Sequence, residues 1–382
     1  LSVPALHVLL AGGGTAGHVE PALSTADALK ELTATLGFDC EVTMLGTADG
    51  LEARLVPERG FDLELIPRVA LPRRPSIDIL TLGPRLRSCV KQTEKILAKR
   101  SIDVVVGFGG YVSVPAYLAA RKANIPVVVH EANVRPGYAN KLGARITTHV
   151  ATGLPGTKLP HALLTGMPLR TSISSLDRAA LREQARAHFG LDDRPVILAF
   201  GGSLGAARIT GAILGAQGAF GQAGLQVVLV AGIRGIDQAR AQADSSVVTV
   251  VEYIDRMDLA YSVADLVVAR SGAMTCAEVA AVGIPSVLVP LPVGNGEQKW
   301  NAESLTAAGA AVVINDDDFN ATVVRQRVVS LMSDLSRLES MGRAAKSLGR
   351  NDADRVFAQF IVDVALPELA RTSGDSSRDG QS

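Results

Sequence analysis

The chain has 382 residues, 47 % of them apolar and 20 % charged, with 38 basic and 38 acidic side chains. This is a globular composition, which excludes a disordered or collagen-like chain. Its zero net charge excludes nucleic-acid binding driven by overall charge. Three distant cysteines, Cys40, Cys89 and Cys276, make neither a disulfide framework nor a CxxC metal site and fit a reducing, cytosolic compartment. No apolar run reaches the roughly eighteen residues that span a bilayer. The apolar start runs straight into a glycine loop without a basic leader or cleavage site, so a soluble or membrane-resting protein is expected. At about 150 residues per domain, two or three domains are expected.

Short β-branched or leucine-rich runs predict strands at Leu6–Ala11, Glu41–Leu45, Val104–Val106, Val127–His130, Val196–Phe200, Gln226–Ala231, Val247–Val251, Leu266–Ala269 and Ser286–Pro290. Alanine-rich stretches of helical period lie between them, such as Pro21–Leu36, Val114–Lys122 and Ala179–Phe189. Continuous apolar strands alternating with helices predict parallel βαβ units and a doubly wound α/β architecture. The pattern restarts. Leu9–Gly17 (LLAGGGTAG) and Leu198–Gly205 (LAFGGSLG), about 190 residues apart, are both strands breaking into glycines. Two Rossmann-like halves follow, with the boundary at Thr165–Pro168: residues 1–167 and 168–351. A last helix, about Asp352–Ala370, has no strand after it. Arg371–Ser382, with four serines and no large apolar residue, reads as a disordered tail.

Gly12–Gly17 satisfies G-x-G-x-x-G between a strand and a helix, a pattern that lets a backbone approach a phosphate. A dinucleotide reader also needs an acid at the end of the second strand to hold a ribose. Glu41–Leu45 ends instead in Gly46-Thr47, which weakens a nicotinamide reading. His18 follows the loop at the carboxyl edge, where ligands of open sheets bind, and is a candidate general base. Arg270–Glu278 (RSGAMTCAE) predicts strand, turn and helix, with the helix start at Ala273 suited to a diphosphate. Glu278 lies on the face of Met274, placed to accept from two ribose hydroxyls. In Gly294–Asn301, Gln298 and Asn301 share a face and suit sugar hydroxyls and an acetamido group; Trp300 reads as a packing residue. His130–Asn133 (HEAN) lies at another carboxyl edge, where Asn133 is placed to reach an acceptor. The chain contains no H-E-x-x-H, Cys/His cluster or D-x-D, so no metal is assigned.

Eight segments in chain order carry a resemblance: Ala11–Ser24 (AGGGTAGHVEPALS), Gly107–Ala120 (GFGGYVSVPAYLAA), His130–Lys141 (HEANVRPGYANK), Gly166–Arg170 (GMPLR), Phe200–Ala206 (FGGSLGA), Tyr253–Asp255 (YID), Arg270–Glu278 and Glu297–Ala302 (EQKWNA). Together they resemble the family 28 glycosyltransferases of peptidoglycan synthesis, from about Leu6 to Phe360. The resemblance implies a GT-B fold of two Rossmann-like domains facing across a cleft, inverting chemistry and no cofactor. It implies transfer of N-acetylglucosamine from UDP-N-acetylglucosamine to the C4 hydroxyl of undecaprenyl-pyrophosphoryl-N-acetylmuramyl-pentapeptide, at the cytoplasmic face of the membrane. The first half would take the acceptor and the second the donor. Thr15, Ala16, Gly17, Asn133, Arg170, Ser203, Ile254, Ala273, Met274, Thr275, Cys276, Ala277, Glu278 and Gln298 would be donor or cleft positions, with His18 and Asn133 catalytic. Within that set, Ile254 and Arg170 lie toward the uracil, Ser203 and the Ala273 helix start hold the diphosphate, Glu278 takes the ribose and Gln298 the sugar. The last helix would return to the first domain. Three family positions differ: Ala16 replaces a glycine, Val114 stands where a glycine is usual, and Glu297–Asn301 replaces Q-Q-Y-W-N.

Rival readings are another GT-B glycolipid glycosyltransferase, an epimerase of the same nucleotide sugar, a nicotinamide oxidoreductase and a non-catalytic nucleotide-sugar binder. Arg68–Arg100 holds nine basic residues against Asp78 and Glu94, with Leu71, Ile77, Ile79, Leu80 and Leu82 between the arginines in a proline-broken stretch. Basic residues rimming apolar ones suit an anionic membrane surface, which is the expected partner alongside donor and acceptor; no nucleic acid is expected.

Overall fold

The computed structural model describes residues 5–69, 78–202, 205–293 and 295–369. The tail 371–382, Ser203, Arg73, Arg74, Leu71 and Ile77 lie outside them. The chain divides into two compact units, one holding residues up to Arg170 and from Asp352, the other Thr171–Asn351.

The first unit is built on strands β1 Leu6–Gly12, β2 Cys40–Gly46, β3 Asp62–Leu65, β4 Val104–Gly109, β5 Val127–Glu131, β6 His149–Thr152 and β7 Ala162–Leu164. They form one sheet in the order β3-β2-β1-β4-β5-β6-β7, and every pairing is parallel. All six residues of β4 are buried, as a strand covered by helices on both faces requires. The second unit repeats the plan with β8 Val196–Phe200, β9 Gln226–Val230, β10 Val248–Val251, β11 Leu266–Ala269, β12 Ser286–Leu288 and β13 Ala311–Val313. Its order is β10-β9-β8-β11-β12-β13, again all parallel. Each sheet therefore reverses its winding once, between β1 and β4 and between β8 and β11. Ligands of open α/β sheets bind outside the carboxyl ends of the strands at such a reversal.

The nine strands predicted from sequence are present, Val196–Phe200 and Leu266–Ala269 with the predicted ends and the others within three residues of them. Four more (β3, β6, β7 and β13) have three or four residues each and no long apolar run to announce them. The first long helix starts at Ala16 rather than Pro21 and runs to Leu36, with Pro21 inside its second turn. From Asp78 onward, the part of the proline-broken stretch that is described is helical, Asp78–Lys99, with Pro84 inside the helix.

The helix Ala353–Ala365, near the end of the described chain, packs on the first sheet. Its Phe357, Ala358, Ile361 and Val362 are buried in one cluster with Val19, Leu23 and Leu29 of the Ala16–Leu36 helix and with Val8, Leu10, Val104 and Val106 of the sheet. Phe357 meets Phe108 edge-on at 5.8 Å and the His130 ring at 4.8 Å. Replacing Phe357 by alanine should cost about 3–5 kcal/mol, as for a fully buried aromatic. Trp300 sits in the second unit, so urea titration followed by far-UV circular dichroism should show the loss more strongly than tryptophan fluorescence does. Equal displacement of both transitions would contradict the assignment of this helix to the first unit's core.

Candidate active site

In the first unit the carboxyl ends of β1 and β4 are tied by Ser113, which is fully buried. Its hydroxyl accepts from the Gly109 amide at 3.0 Å and faces the Ala11 and Gly109 carbonyls at 2.9 and 2.8 Å. The glycine loop leaves β1 here, and Thr15 sits at the helix N-cap in an extended conformation without a side-chain capping bond.

His18 lies in the first turn of that helix, half-buried. Its Nδ1 is 3.2 Å from the Gly13 carbonyl and 3.2 Å from Thr15 Oγ1. A carbonyl only accepts, so Nδ1 carries the ring proton and Nε2 keeps its lone pair. Gly109, at φ 101°, brings backbone against the ring: a Cβ there would lie 3.0 Å from His18 Nε2. Burial holds the His18 pKa below its ordinary value, opposed by the Glu131 and Glu52 charges and the Gly13 carbonyl bond. The imidazole is therefore neutral at neutral pH, the form in which it can take a proton.

Glu52 is the residue that sequence reasoning missed. It is 1 % exposed and accepts from the Thr47 amide and hydroxyl and from the Gly14 amide, each at 2.9 Å. An acid does follow the second strand, then, but it is spent on the glycine loop, and the Gly14 N–H is spent with it. The signal available was the glycine density around it in Gly46–Glu52 (GTADGLE).

His130 and Glu131 do not pair with each other. His130 is fully buried, with Nε2 3.1 Å from the Gly166 carbonyl; burial pushes its pKa down to about 4, and it acts as a core residue against Phe108 and Phe357. Glu131 organises the loop that follows: it accepts from the Asn133 amide at 2.9 Å, the Gly137 amide at 3.0 Å and Asn140 Nδ2 at 3.0 Å. Asn133 Nδ2 also donates to Glu131, at 3.3 Å, so this amide is held within its own loop. Tyr117 donates to Asn140 Oδ1 at 2.8 Å and fixes that amide's orientation. Arg170 belongs to this unit, its Nε 3.9 Å from Glu20 Oε2.

In the second unit the Ala273–Val282 helix starts beyond β11 behind Gly272. The Ala273, Met274 and Thr275 amides precede the first internal acceptor, so they face outward as donors. The Cys276 amide already donates to the Gly272 carbonyl at 3.0 Å, and its thiol is buried and pushed up to about 12. Cys276 is thus a core residue, and the sequence expectation of a donor contact there is not supported by its side chain. Glu278 is 8 % exposed rather than solvent-facing. Tyr261, another residue unmarked by sequence, donates to its Oε2 at 2.8 Å and orients the carboxylate. Ile254 is buried in the loop beyond β10.

The amides expected to face a sugar are largely structural. Gln298 Oε1 accepts from the Leu291 amide at 2.9 Å, and fully buried Asn301 donates to the Ser271 carbonyl at 3.3 Å. Ser271 in turn donates to the Gln298 carbonyl at 2.8 Å, which ties the Glu297–Asn301 helix to the end of β11. Trp300 is 37 % exposed. Arg270 is held by the Val289 carbonyl at 3.1 Å and by Asp316 at 2.5 Å. Among the described residues no group of three His, Cys, Asp or Glu could hold a metal ion.

Two Rossmann-type units, each with a glycine loop at its winding reversal, agree with what family models find in this chain. The glycosyltransferase family 28 N-terminal domain matches residues 8–152 and the family 28 C-terminal domain residues 196–356. The chain belongs to glycosyltransferase family 28. A relative from Acidothermus cellulolyticus, 49 % identical over 94 % of this chain and 98 % of its own length, is named UDP-N-acetylglucosamine–N-acetylmuramyl-(pentapeptide) pyrophosphoryl-undecaprenol N-acetylglucosamine transferase. One from Streptomyces coelicolor with the same name is 48 % identical over 96 % of this chain and all of its own. The crystal structure of Acinetobacter baumannii MurG matches at TM-score 0.74 and 29 % identity, over 93 % of this chain and 99 % of that one. The Neisseria meningitidis UDP-GlcNAc 2-epimerase shares the fold at TM-score 0.67 and 16 % identity, over 94 % of this chain and all of that one.

Proposed function

We propose that this protein transfers N-acetylglucosamine from UDP-N-acetylglucosamine to the C4 hydroxyl of undecaprenyl-pyrophosphoryl-N-acetylmuramyl-pentapeptide, a step of peptidoglycan synthesis. The observation that carries this reading is near-full-length identity of about half to transferases of that name. An epimerase is not favoured, since epimerases share the fold at 16 % identity.

The second unit binds the donor. The helix start at Ala273–Thr275 and the Gly201–Gly205 loop receive the diphosphate, with partial positive charge and N–H donors where the leaving UDP gains charge. Glu278, oriented by Tyr261, accepts from the ribose hydroxyls; Ile254 borders the base and Gln298 the sugar. In the first unit neutral His18 takes the proton from the acceptor hydroxyl through Nε2. The hydroxyl oxygen forms the new bond at the anomeric carbon on the face opposite UDP, and UDP leaves with the electrons of the bond that breaks. The product is β-linked.

The lipid acceptor calls for a membrane surface, and no helix among the described residues is long and apolar enough to cross one. The basic segment supports peripheral docking with a smaller charge than its sequence suggests. Arg68 pairs with Asp49, Lys99 with Glu64, and Arg100 with Asp62 and Glu64, while Leu82 packs partly against the core. Exposed Arg87, Lys91 and Lys95 recur every four residues on one face of the Asp78–Lys99 helix, and this stripe is the docking surface.

Three measurements test these assignments. Glu278→Ala should raise the donor KM well over tenfold, a loss of about 2–4 kcal/mol for truncating a charge-assisted pair; an unchanged KM removes the ribose role. His18→Ala should lower kcat about 10²–10⁴-fold with donor KM preserved. Because the His18 pKa is lowered, the wild-type rate should fall only as pH drops through a value below the ordinary 6.5, and that limb should vanish in the variant. Reversing Arg87, Lys91 and Lys95 to glutamate should abolish sedimentation with anionic vesicles at low salt, whereas turnover of a water-soluble acceptor stays near normal. Persistent sedimentation would place the docking surface elsewhere.

A further inference from the structure

Three glycines of the first unit, Gly13 in the loop after β1 and Gly46 and Gly50 beside Glu52 itself, crowd one acidic side chain. A Cβ on Gly13 would lie 2.7 Å from Glu52 Oε1, and a Cβ on Gly46 or on Gly50 would also collide with the Glu52 side chain. Space is cleared for a buried acid whose partners are two amides and a hydroxyl: Thr47 N and Oγ1 on Oε1, and Gly14 N on Oε2. Burying a carboxylate is costly unless its oxygens are bonded, so this arrangement is a built feature of the loop.

The bonds lead directly to the base. Glu52 holds Gly14, the preceding residue Gly13 presents its carbonyl to His18 Nδ1 at 3.2 Å, and Nε2 is left unprotonated. We propose that Glu52 is a positioning residue for glycosyl transfer, fixing the glycine loop so that the Gly13 carbonyl holds His18 in the tautomer whose Nε2 accepts the acceptor's proton. A loop free to move would let the imidazole swing or change tautomer, and a misplaced base loses rate. The Gly14 N–H, one of the donors a bound phosphate would use, is committed to this task, so the loop serves proton transfer at least as much as anion binding. Glu52 from the segment after β2 and Glu131 from the end of β5 are the charges that bear on His18, and both favour its protonated form.

The inference rests on His18 as the base, and the experiment separates the two. Glu52→Gln keeps the shape but turns an NH₂ donor toward either the Gly14 N–H or the Thr47 N–H, where an acceptor is needed, and it removes one of the two charges facing His18. It should lower kcat at least tenfold, leave the donor KM within twofold and move the acid limb of the rate profile to lower pH. Gly50→Ala, remote from the base, pushes the carboxylate aside without removing its charge and should lower kcat by a similar factor at constant donor KM. If Glu52→Gln does not fold, Gly50→Ala carries the test alone. A kcat within threefold of wild type in folded variants, or a kcat loss accompanied by a parallel rise in donor KM, overturns the positioning role. A His18→Ala variant within threefold of wild type overturns the base assignment itself, whatever the Glu52 variants do.

Discussion

A parallel sheet buried on both faces allows ligands to approach only at its ends. Every strand in both sheets runs the same way, so all carboxyl ends in a unit gather on one edge, and the helices that cover the faces start there with their N–H groups outward. The single reversal of winding then parts the covering helices at β1/β4 and at β8/β11. The glycine loops, His18, Glu131, Glu278 and the Ala273 helix start all follow strands at that edge. Their placement is a consequence of topology before any side-chain chemistry enters.

Buried acids do the local organising. Glu52, Glu131 and Glu278 are each under 10 % exposed, and they accept hydrogen bonds from amides and hydroxyls. Such bonds satisfy a carboxylate at short range and have fixed direction, because the donors belong to the backbone or to a buried ring. Glu52 sets a glycine loop, Glu131 sets the Asn133–Asn140 turn, and Tyr261 sets Glu278. An arginine partner would neutralise the charge on a flexible stem; backbone donors instead convert the charge into a constraint on the chain. Oriented groups at a reaction centre gain rate from this rigidity.

The basic segment illustrates the opposite case. Counted along the chain it is strongly positive, yet the acids that face it come from Asp49, Asp62 and Glu64, outside the segment. Pairing of this kind adds little stability at an exposed surface, but it reshapes the field. Among the described residues, the cations of the segment left without an acid lie along the Asp78–Lys99 helix.

The sequence by itself determined the doubly wound class, the two glycine loops and most central strands, because buried parallel strands must be continuous apolar runs and their turns must be glycine. It also marked His18, Glu278 and the Ala273 helix start, which sit one turn from those signals. Only the tertiary structure decided β3, β6, β7 and β13, whose three or four residues are strands because a neighbour offers them hydrogen bonds. It alone paired the basic segment with distant acids, drew Asn133 and Gln298 into structural bonds, and set Glu52 beneath a loop 38 residues away in the chain. Local propensity is written in near neighbours, whereas the partner of a buried polar group is chosen by which distant segment the fold brings within 3 Å of it.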